Sequence, residues 1–506
     1  MSETARIGSI ARDPAPPPGL NLADFERVGR GGLNDGHNNY AHSMAWFKGK
    51  LFLGTTRSNL CMLKLQSAYE GLPLSVWPVD CPDSLDGLYR LDRRAQIWAF
   101  DPVGGSWEMV FRSPLVDAVA GPGKVPRDIG YRSMEVFQGA SDPEPALYIA
   151  AWAPGRAPGG LILRTYDGWN FDPVSMYGIL DTPISATRSL TSLGDRMFFA
   201  PTARRGTDGS QQNAAGVSLV FETRNPAGGK WTPVSEPAFG DPGNIGIFTL
   251  ATMGDQLYAG TFNLAGLQVW ASECRGEPPY RWRKVIDAGA GRGPLNQAVA
   301  AMVGFKDAVY VGTAIQGGGI DRVNRIGPAA GEVIRINADD SWDLIAGDIR
   351  VMDDRTLEPL SGLRAGFGNF FNGYIWSLGV HEDWLYAGTY DWSLTMRWAS
   401  PDPTLKKVHR LFEILDPEIV VENEGGADLW RSSDGENWLP VTRQGFGNPY
   451  NIGIRNIVSS PMGLFIGTGN LFGPRVAVRA KVGWEYVDNP DGGLEVWLGK
   501  DPANGL

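Results

Sequence analysis

Three arginines, a histidine and two large aromatics fall at one register of a pattern that recurs along this chain. Its fullest copy runs Asn244-Ile-Gly-Ile-Phe-Thr-Leu-Ala-Thr-Met-Gly-Asp-Gln-Leu-Tyr-Ala-Gly-Thr261. Other copies end in Gly-Thr at Thr55, Thr313, Thr389 and Thr468, and two degenerate ones end at Ala151 and Pro201. At one register, thirteen positions before that end in most copies, stand His42, Arg132, Arg188, Phe248, Ala300, Trp376 and Arg455. A position that only supports a fold tends to keep one residue type, so this variation is what a binding site needs. Guanidinium groups beside aromatic walls suit an anion or a polarised, partly aromatic ligand. The competing reading, in which these arginines bond backbone or pair with acids such as Asp128 and Asp391, stays open.

The elements that must position these residues follow from the same repeat. Each copy reads as strand, tight turn at Gly-Asp or Lys-Gly, and strand. A third apolar run comes next, then an aromatic residue with an aliphatic one three positions later, as in Trp107/Val110, Trp231/Val234, Trp282/Val285, Trp342/Ile345 and Trp438/Val441. Four short strands per unit, repeated seven times, predict an all-β, seven-bladed β-propeller. The abundance of turn formers, with 66 Gly and 36 Pro in 506 residues, agrees with many short strands. The last unit lacks its final strand, and Phe25-Glu-Arg-Val28 has the missing form. The N-terminal strand is therefore expected to complete that blade and latch the ring, with Trp484-Glu-Tyr-Val487 competing for the role. This reading divides the chain into a flexible tail over residues 1–20 and one propeller over 21–506. Insertions are expected at about 60–94, 317–331, 346–370, 393–426 and 472–492.

In a propeller the innermost strand of each blade starts at one face beside the central channel, which places the varied column at a mouth. Just past the Gly-Thr element, Arg57 and Trp392 join His42, Arg132, Arg188, Phe248, Trp376 and Arg455 as expected ligand contacts. Asp391, between Tyr390 and Trp392, is the best general-base candidate, because apolar surroundings would raise its pKa. Tyr374 could donate to a leaving group or an oxyanion, although both residues could equally belong to the core. Four positions before the varied column stand Asn38, Asp128, Ile184, Asn244, Asn296, Asn372 and Asn451. So many Asn read as a repeated turn device that tolerates left-handed backbone.

Charge and composition exclude several classes. With 46 Lys and Arg against 56 Asp and Glu the net charge is −10, which argues against a general nucleic-acid binder. No apolar run approaches the roughly 18 residues of a membrane span. Met1–Leu20 is polar and Pro-rich, so a cytoplasmic location is expected. Three Cys are too few for a disulfide framework. Cys61 and Cys81 could pair or bind metal, but no CxxC or HxxxH accompanies them, and free thiols in a reducing cytoplasm are the simplest expectation. Four His, of which only His42 falls in the axial column, do not supply a four-His iron centre. No P-loop, Gly-x-Ser-x-Gly elbow or His-Glu-x-x-His motif is present. No metal is expected in the site.

The segments Tyr40-Ala-His-Ser-Met44, Val76-Trp-Pro-Val-Asp-Cys-Pro82, Leu91-Asp-Arg-Arg-Ala-Gln-Ile-Trp-Ala-Phe-Asp101 and Pro126-Arg-Asp-Ile-Gly-Tyr-Arg-Ser-Met-Glu-Val-Phe-Gln-Gly139 are more distinctive than a generic propeller. They resemble the propeller of the cylindrocyclophane-forming, Friedel-Crafts type alkylating enzymes and their bartoloside-type relatives. The resemblance implies transfer of a secondary alkyl halide to a resorcinol carbon or a carboxylate oxygen, with halide release and no required cofactor. A structural calcium ion is compatible with it. It also implies an Arg and a Tyr that bind the departing halide and an acid that deprotonates the phenol. The Arg corresponds to Arg94; Tyr374 and Asp391 are choices made on position, since no motif carries the other two roles over. Characterised relatives have a calcium-binding domain against the site, and this chain has no Gly-Gly-x-Gly-x-Asp array. Its insertions, 60–94 or 393–426, would then have to cover the mouth. The alternative is a non-catalytic propeller that binds an anionic small molecule or a protein partner at the channel.

Overall fold

Alternating side chains on either side of a two-residue turn fold here as antiparallel hairpins, and hairpins dominate the chain. The computed structural model describes residues 19–65, 73–181, 184–204, 218–352, 354–400, 409–410 and 414–500. Of the expected tail only Gly19 and Leu20 fall among these; residues 1–18 lie outside the described residues. Both are tied down. Leu20 is buried and donates its N–H to Tyr386 Oη at 3.2 Å, while the Gly19 carbonyl accepts from Arg431.

The described chain is all-β and propeller-like, with only short helical segments. Seven hairpins carry the repeat: Asn38–Phe47 with Lys50–Arg57, Gly130–Phe137 with Ala146–Trp152, Ile184–Leu193 with Arg196–Arg204, Asn244–Met253 with Gln256–Asn263, Ala298–Phe305 with Ala308–Ala314, Asn372–His381 with Trp384–Asp391, and Gly453–Ser460 with Gly463–Gly469. They are called hairpins 1 to 7 below. Five turns begin on a left-handed residue, Lys48, Gly194, Gly254, Lys306 or Glu382, whose twist matches that of the flanking strands. A third and a fourth strand follow most hairpins, for example Val333–Ile336 and Trp342–Ala346 after hairpin 5. After hairpin 7 the third strand is Val496–Gly499, and the strand beside it is Phe25–Gly29, with Phe25 opposite Gly499 and Arg27 opposite Trp497. Trp484–Asp488 pairs instead with Arg475–Arg479.

Two polar belts hold the hairpins in register. In the first, an Asn near the start of the inner strand donates Nδ2 to a carbonyl six or seven residues upstream: Asn38 to Gly32, Asn244 to Ala238, Asn296 to Gly289, Asn372 to Gly366 and Asn451 to Gly445, at 2.8–3.1 Å. The same amide donates to the residue that opens or immediately precedes the third strand, namely Gln96, Gln268, Glu332, Asp428 or Glu495. The upstream turn is left-handed at a buried apolar residue, Leu33, Phe239, Ala290, Phe367 or Phe446. The Asn bond offsets the local cost of that backbone.

The second belt stands one residue after the varied column. Ser43 donates to the Tyr131 carbonyl, Ser189 to Leu250, Thr249 to Val299, Ser377 to Ile454 and Asn456 to Ala41, while Ser133 Oγ accepts from the Leu190 N–H. These bonds join hairpin 1 to 2, 2 to 3, 3 to 4, 4 to 5, 6 to 7 and 7 to 1. Hairpin 5 meets hairpin 6 through the pairing of Ala314 with Tyr374.

Three insertions meet over the end at which the inner strands begin. Leu74 pairs with Ala399 and Val79 with Val476. The Trp398 indole donates to the Ala477 carbonyl at 2.8 Å and stacks on Phe472, and Tyr486 Oη donates to the Trp77 carbonyl. Their apolar side chains form one buried cluster with Tyr40, Ala300 and Trp376 of the inner strands and Trp152 of the second strand of hairpin 2. Residues 346–370 do not join them; there Arg350–Met352 pairs with Arg355–Leu357.

The expectation of free Cys61 and Cys81 is corrected. Their sulfurs are bonded, because the insertion folds the Asn59–Leu65 helix against the Val76–Pro82 segment and brings the two Cα atoms to 5.1 Å. Cys274 is a free, buried thiol.

Candidate functional site

A cavity of about 200 Å³ is lined by all seven inner strands, and its wall includes Arg132, Arg188, Phe248, Ala300, Trp376 and Arg455. Six of the seven residues of the varied column thus meet in one place. From that level the lining continues toward the hairpin turns through Ser43, Thr249 and Asn456 to Met44, Met302 and Ile457. The opposite end lies beneath the three insertions.

The register explains the convergence. Each inner strand starts at the Asn belt, and the varied column lies four residues along it. Each of the three guanidinium carbons sits over an aromatic ring: Arg132 over Trp152 at 5.0 Å, Arg188 over Phe248 at 4.3 Å and Arg455 over Trp376 at 5.3 Å. Gly453 makes room for this, since a Cβ there would run into the Trp376 ring. Arg132 also lies 3.5 Å from Thr202 Oγ1.

The electrostatics are one-sided. Burial lowers the pKa of all three arginines, Arg188 to about 9 and Arg455 to about 10, and Arg132 falls well below its usual value. The Arg455 charge lowers Arg188 further, and both lower Arg132. No carboxylate is among the charges that act on them or among the residues lining the cavity. Among the described residues neither Arg188 nor Arg455 has an ion-pair partner. Buried cations without a counter-charge are costly unless something fills the site beside them.

His42 adds no charge. It is buried beside Thr56, Tyr40 and Trp152, and burial followed by the Arg455, Arg132 and Arg188 charges pushes its pKa well down. Tyr40, also buried, has its pKa raised chiefly by burial.

The remaining expected residues stand elsewhere. Arg57 is buried in the Asn belt, held by Asp35 at 2.8 Å, Asn38 at 2.7 Å and the Asp92 carbonyl at 3.0 Å. Arg94 forms a half-exposed ion pair with Asp92 at 2.9 Å. The inward guanidinium of that segment belongs to Arg93, which is buried and lies against Met62 and Tyr89. Tyr374 Oη accepts the Gly318 N–H at 2.6 Å, and its ring stacks on Tyr390. Trp392 packs on Phe370 and Phe371.

Asp391 is fully buried. Its Oδ1 accepts from the N–H and hydroxyl of Ser393, while Oδ2 has no hydrogen-bond partner. Burial raises its pKa well above the usual range, the Ser393 bonds work against that rise, and the Asp428 and Glu424 charges add to it. None of Arg57, Arg94, Tyr374, Asp391 and Trp392 lines the cavity. Among the described residues no group of three or more His, Cys, Asp and Glu gathers to hold a metal ion.

Sequence reasoning overlooked the Ser/Thr/Asn column and the left-handed Gly-Phe-Gly turns. Both carry a signal. Ser43, Ser133, Ser189, Thr249, Ser377 and Asn456 are aligned in the repeat, and Gly-Phe-Gly stands six residues before Asn372 and Asn451.

No family model matches the chain, and no curated protein matches it. Solved structures of similar fold include the Penicillium chrysogenum alpha-L-arabinanase complexed with arabinobiose, at 11% identity and a TM-score of 0.36 over 70% of this chain and 89% of that one. The GH74 xyloglucanase from Xanthomonas campestris gives 11% identity and a TM-score of 0.39, over 93% and 68% of the two chains. A chain of the mitotic checkpoint complex gives 8% and 0.42 over 98% and 99%. Likeness at this level lends this chain none of their activities.

Proposed function

We propose that the seven hairpins are the blades of one seven-bladed propeller, latched by Phe25–Gly29, and that its channel binds an anionic small molecule. The side-chain bonds linking inner strands at six junctions and the Ala314–Tyr374 pairing at the remaining one support the ring, and the pairing of Phe25–Gly29 with Val496–Gly499 supports the latch. The observation that carries the binding reading is the convergence of Arg132, Arg188 and Arg455 on one cavity with no carboxylate in its wall. With the insertions over one end, the ligand enters from the side of the hairpin turns.

Alkylation with halide release is the second reading, because a departing halide is an anion that this cluster would stabilise as its charge develops. It has less support. Arg94 is committed to Asp92, and the base it would need has no counterpart on the cavity wall, since Asp391 is sealed beneath Ser393. The cytoplasmic location expected from composition fits poorly with the Cys61–Cys81 bridge, because reducing compartments keep such pairs open. No described helix is long and apolar enough to cross a membrane.

The test is isothermal titration of the purified chain with phosphate, benzoate and chloride, beside Arg188→Met and Arg455→Met. Binding to the parent chain that weakens in both variants is expected. Absence of heat with every anion, or binding that both variants retain, overturns the reading. Halide release from a secondary alkyl bromide with a resorcinol would instead favour alkylation.

A further inference from the structure

We infer that the channel ligand carries a compact divalent oxyanion, of the phosphate or phosphate-monoester kind; this rests on the anion-binding reading above. Charge is the first argument. Three guanidinium groups face one cavity, His42 is neutral there, and no acid lines the wall. Arg188 and Arg455 have no ion-pair partner among the described residues, so a monoanion would leave one of their two charges uncompensated, whereas a dianion matches both.

The orientation of the donors is the second argument. A ring under each guanidinium occupies its face and leaves its N–H edge to bond in plane, the geometry that matches two oxygens of one oxyanion. The rings also fix three otherwise mobile side chains before the ligand arrives, which lowers the ordering cost. Most neighbouring hydroxyls do not compete as donors. Ser189, Thr249 and Ser377 spend their protons on carbonyls of the next strand, so the arginines supply the donors that the ligand meets.

Size is the third argument. About 200 Å³ admits phosphate or a short phosphomonoester and falls below the roughly 300–1,000 Å³ of a typical pocket for a larger ligand. A chloride fills a small part of that space and offers no second oxygen to the other guanidinium groups.

The experiment is titration calorimetry of the full chain with inorganic phosphate, sulfate, chloride and acetate at constant ionic strength, repeated on Arg188→Met and Arg455→Met. Phosphate is expected to bind at least about tenfold more tightly than chloride or acetate, and each variant to lose on the order of tenfold, the weight of a charge-assisted bond. Sulfate matching phosphate assigns the site to divalent oxyanions in general, and phosphate alone assigns it to phosphate. Chloride or acetate binding as tightly as the dianions overturns this inference and leaves the anion-binding reading standing. Failure of all four overturns both. Should a Met variant not fold, Arg455→Lys keeps the charge and removes the paired donors. It is expected to weaken phosphate more than chloride, and equal weakening of both counts against the inference.

Discussion

Replacing Asp428 by Asn tests how buried charge is handled in the belt beneath the insertions. Asp428 immediately precedes the third strand after hairpin 6, Leu429–Ser432, and is fully buried. Its Oδ2 accepts from Asn372 Nδ2 at 3.0 Å and Trp430 Nε1 at 3.2 Å, and its Oδ1 has no hydrogen-bond partner. Burial raises its pKa from 3.8 to about 6, against the pull of the Asn372 and Trp430 bonds and the Arg443 charge. The folded chain therefore keeps a proton that the unfolded chain releases between these two values. Unfolding gives up that proton, so this group makes stability fall as pH rises from about 4 to about 6, with the loss complete above.

The full penalty is the shift of roughly two pKa units at ~1.36 kcal/mol each, about 3 kcal/mol at neutral pH. Near pH 4.5 only about 1 kcal/mol of it has developed, so the pH-dependent part is about 2 kcal/mol. Asn at this position keeps an acceptor for Asn372 and Trp430 and cannot ionise. Its amide meets the place where Oδ1 is already unpartnered, an offset of about 1–3 kcal/mol that does not change with pH. Equilibrium urea unfolding of both chains at pH 4.5 and 7.5 should show Asp428→Asn improving by about 2 kcal/mol relative to the parent between the two conditions. A stability difference that stays constant across the range would refute the reasoning, whatever its sign.

Two further substitutions probe the scaffold. Asn372→Ala removes bonds to Gly366, Asp428 and Thr389, all buried, and should cost about 3 kcal/mol or more in urea unfolding. Trp398→Ala empties the centre of the insertions, where the indole is fully buried, and should cost about 3–5 kcal/mol. Hydrogen exchange should rise locally in residues 73–82, 393–400 and 472–486, while anion affinity at the far side of the column stays near that of the parent.

How much could be read beforehand depended on whether a residue's role was repeated or unique. The strand–turn–strand units, the pairing of Phe25–Gly29 beside Val496–Gly499 and the convergence of Arg132, Arg188, Phe248, Trp376 and Arg455 all follow from alignment of seven copies. A repeat converts spacing into spatial position. Residues beyond the repeat had no such ruler. Arg94 and Arg93 are adjacent, and which of them the chain entering the strand at Gln96 turns inward is a matter of a single residue. Asp391 sits on the aligned frame, yet Ser393 and the insertion after it seal the carboxylate, and insertions are where the repeat is silent. The Cys61–Cys81 bond was missed for the same reason, since both residues lie in an insertion whose path nothing in the repeat constrains.

The contrast between neighbouring columns leads to the most direct test of the arginine cluster. The Asn and Ser belts largely keep their residue types because most copies repeat the same bond, whereas the column between them varies because its residues face a shared space. Within that column Ala300 is the small member, between Phe248 and Trp376 in the order of the inner strands. A carboxylate placed there would act as an internal counter-ion. Ala300→Glu should stabilise the unliganded chain by an amount comparable to saturation with an anion, about 2.7 kcal/mol at a hundredfold excess over Kd. For 506 residues, with an unfolding entropy of ~2.1 cal/mol/K per residue, that is a rise in Tm of about 2–3 °C. The same substitution should remove most of the rise that phosphate produces in the parent, because the cluster is already neutralised. A destabilised Ala300→Glu chain whose Tm still responds fully to phosphate would show that the three arginines do not act on the space in front of Ala300, and would separate the cavity from the charge that makes it a receptor.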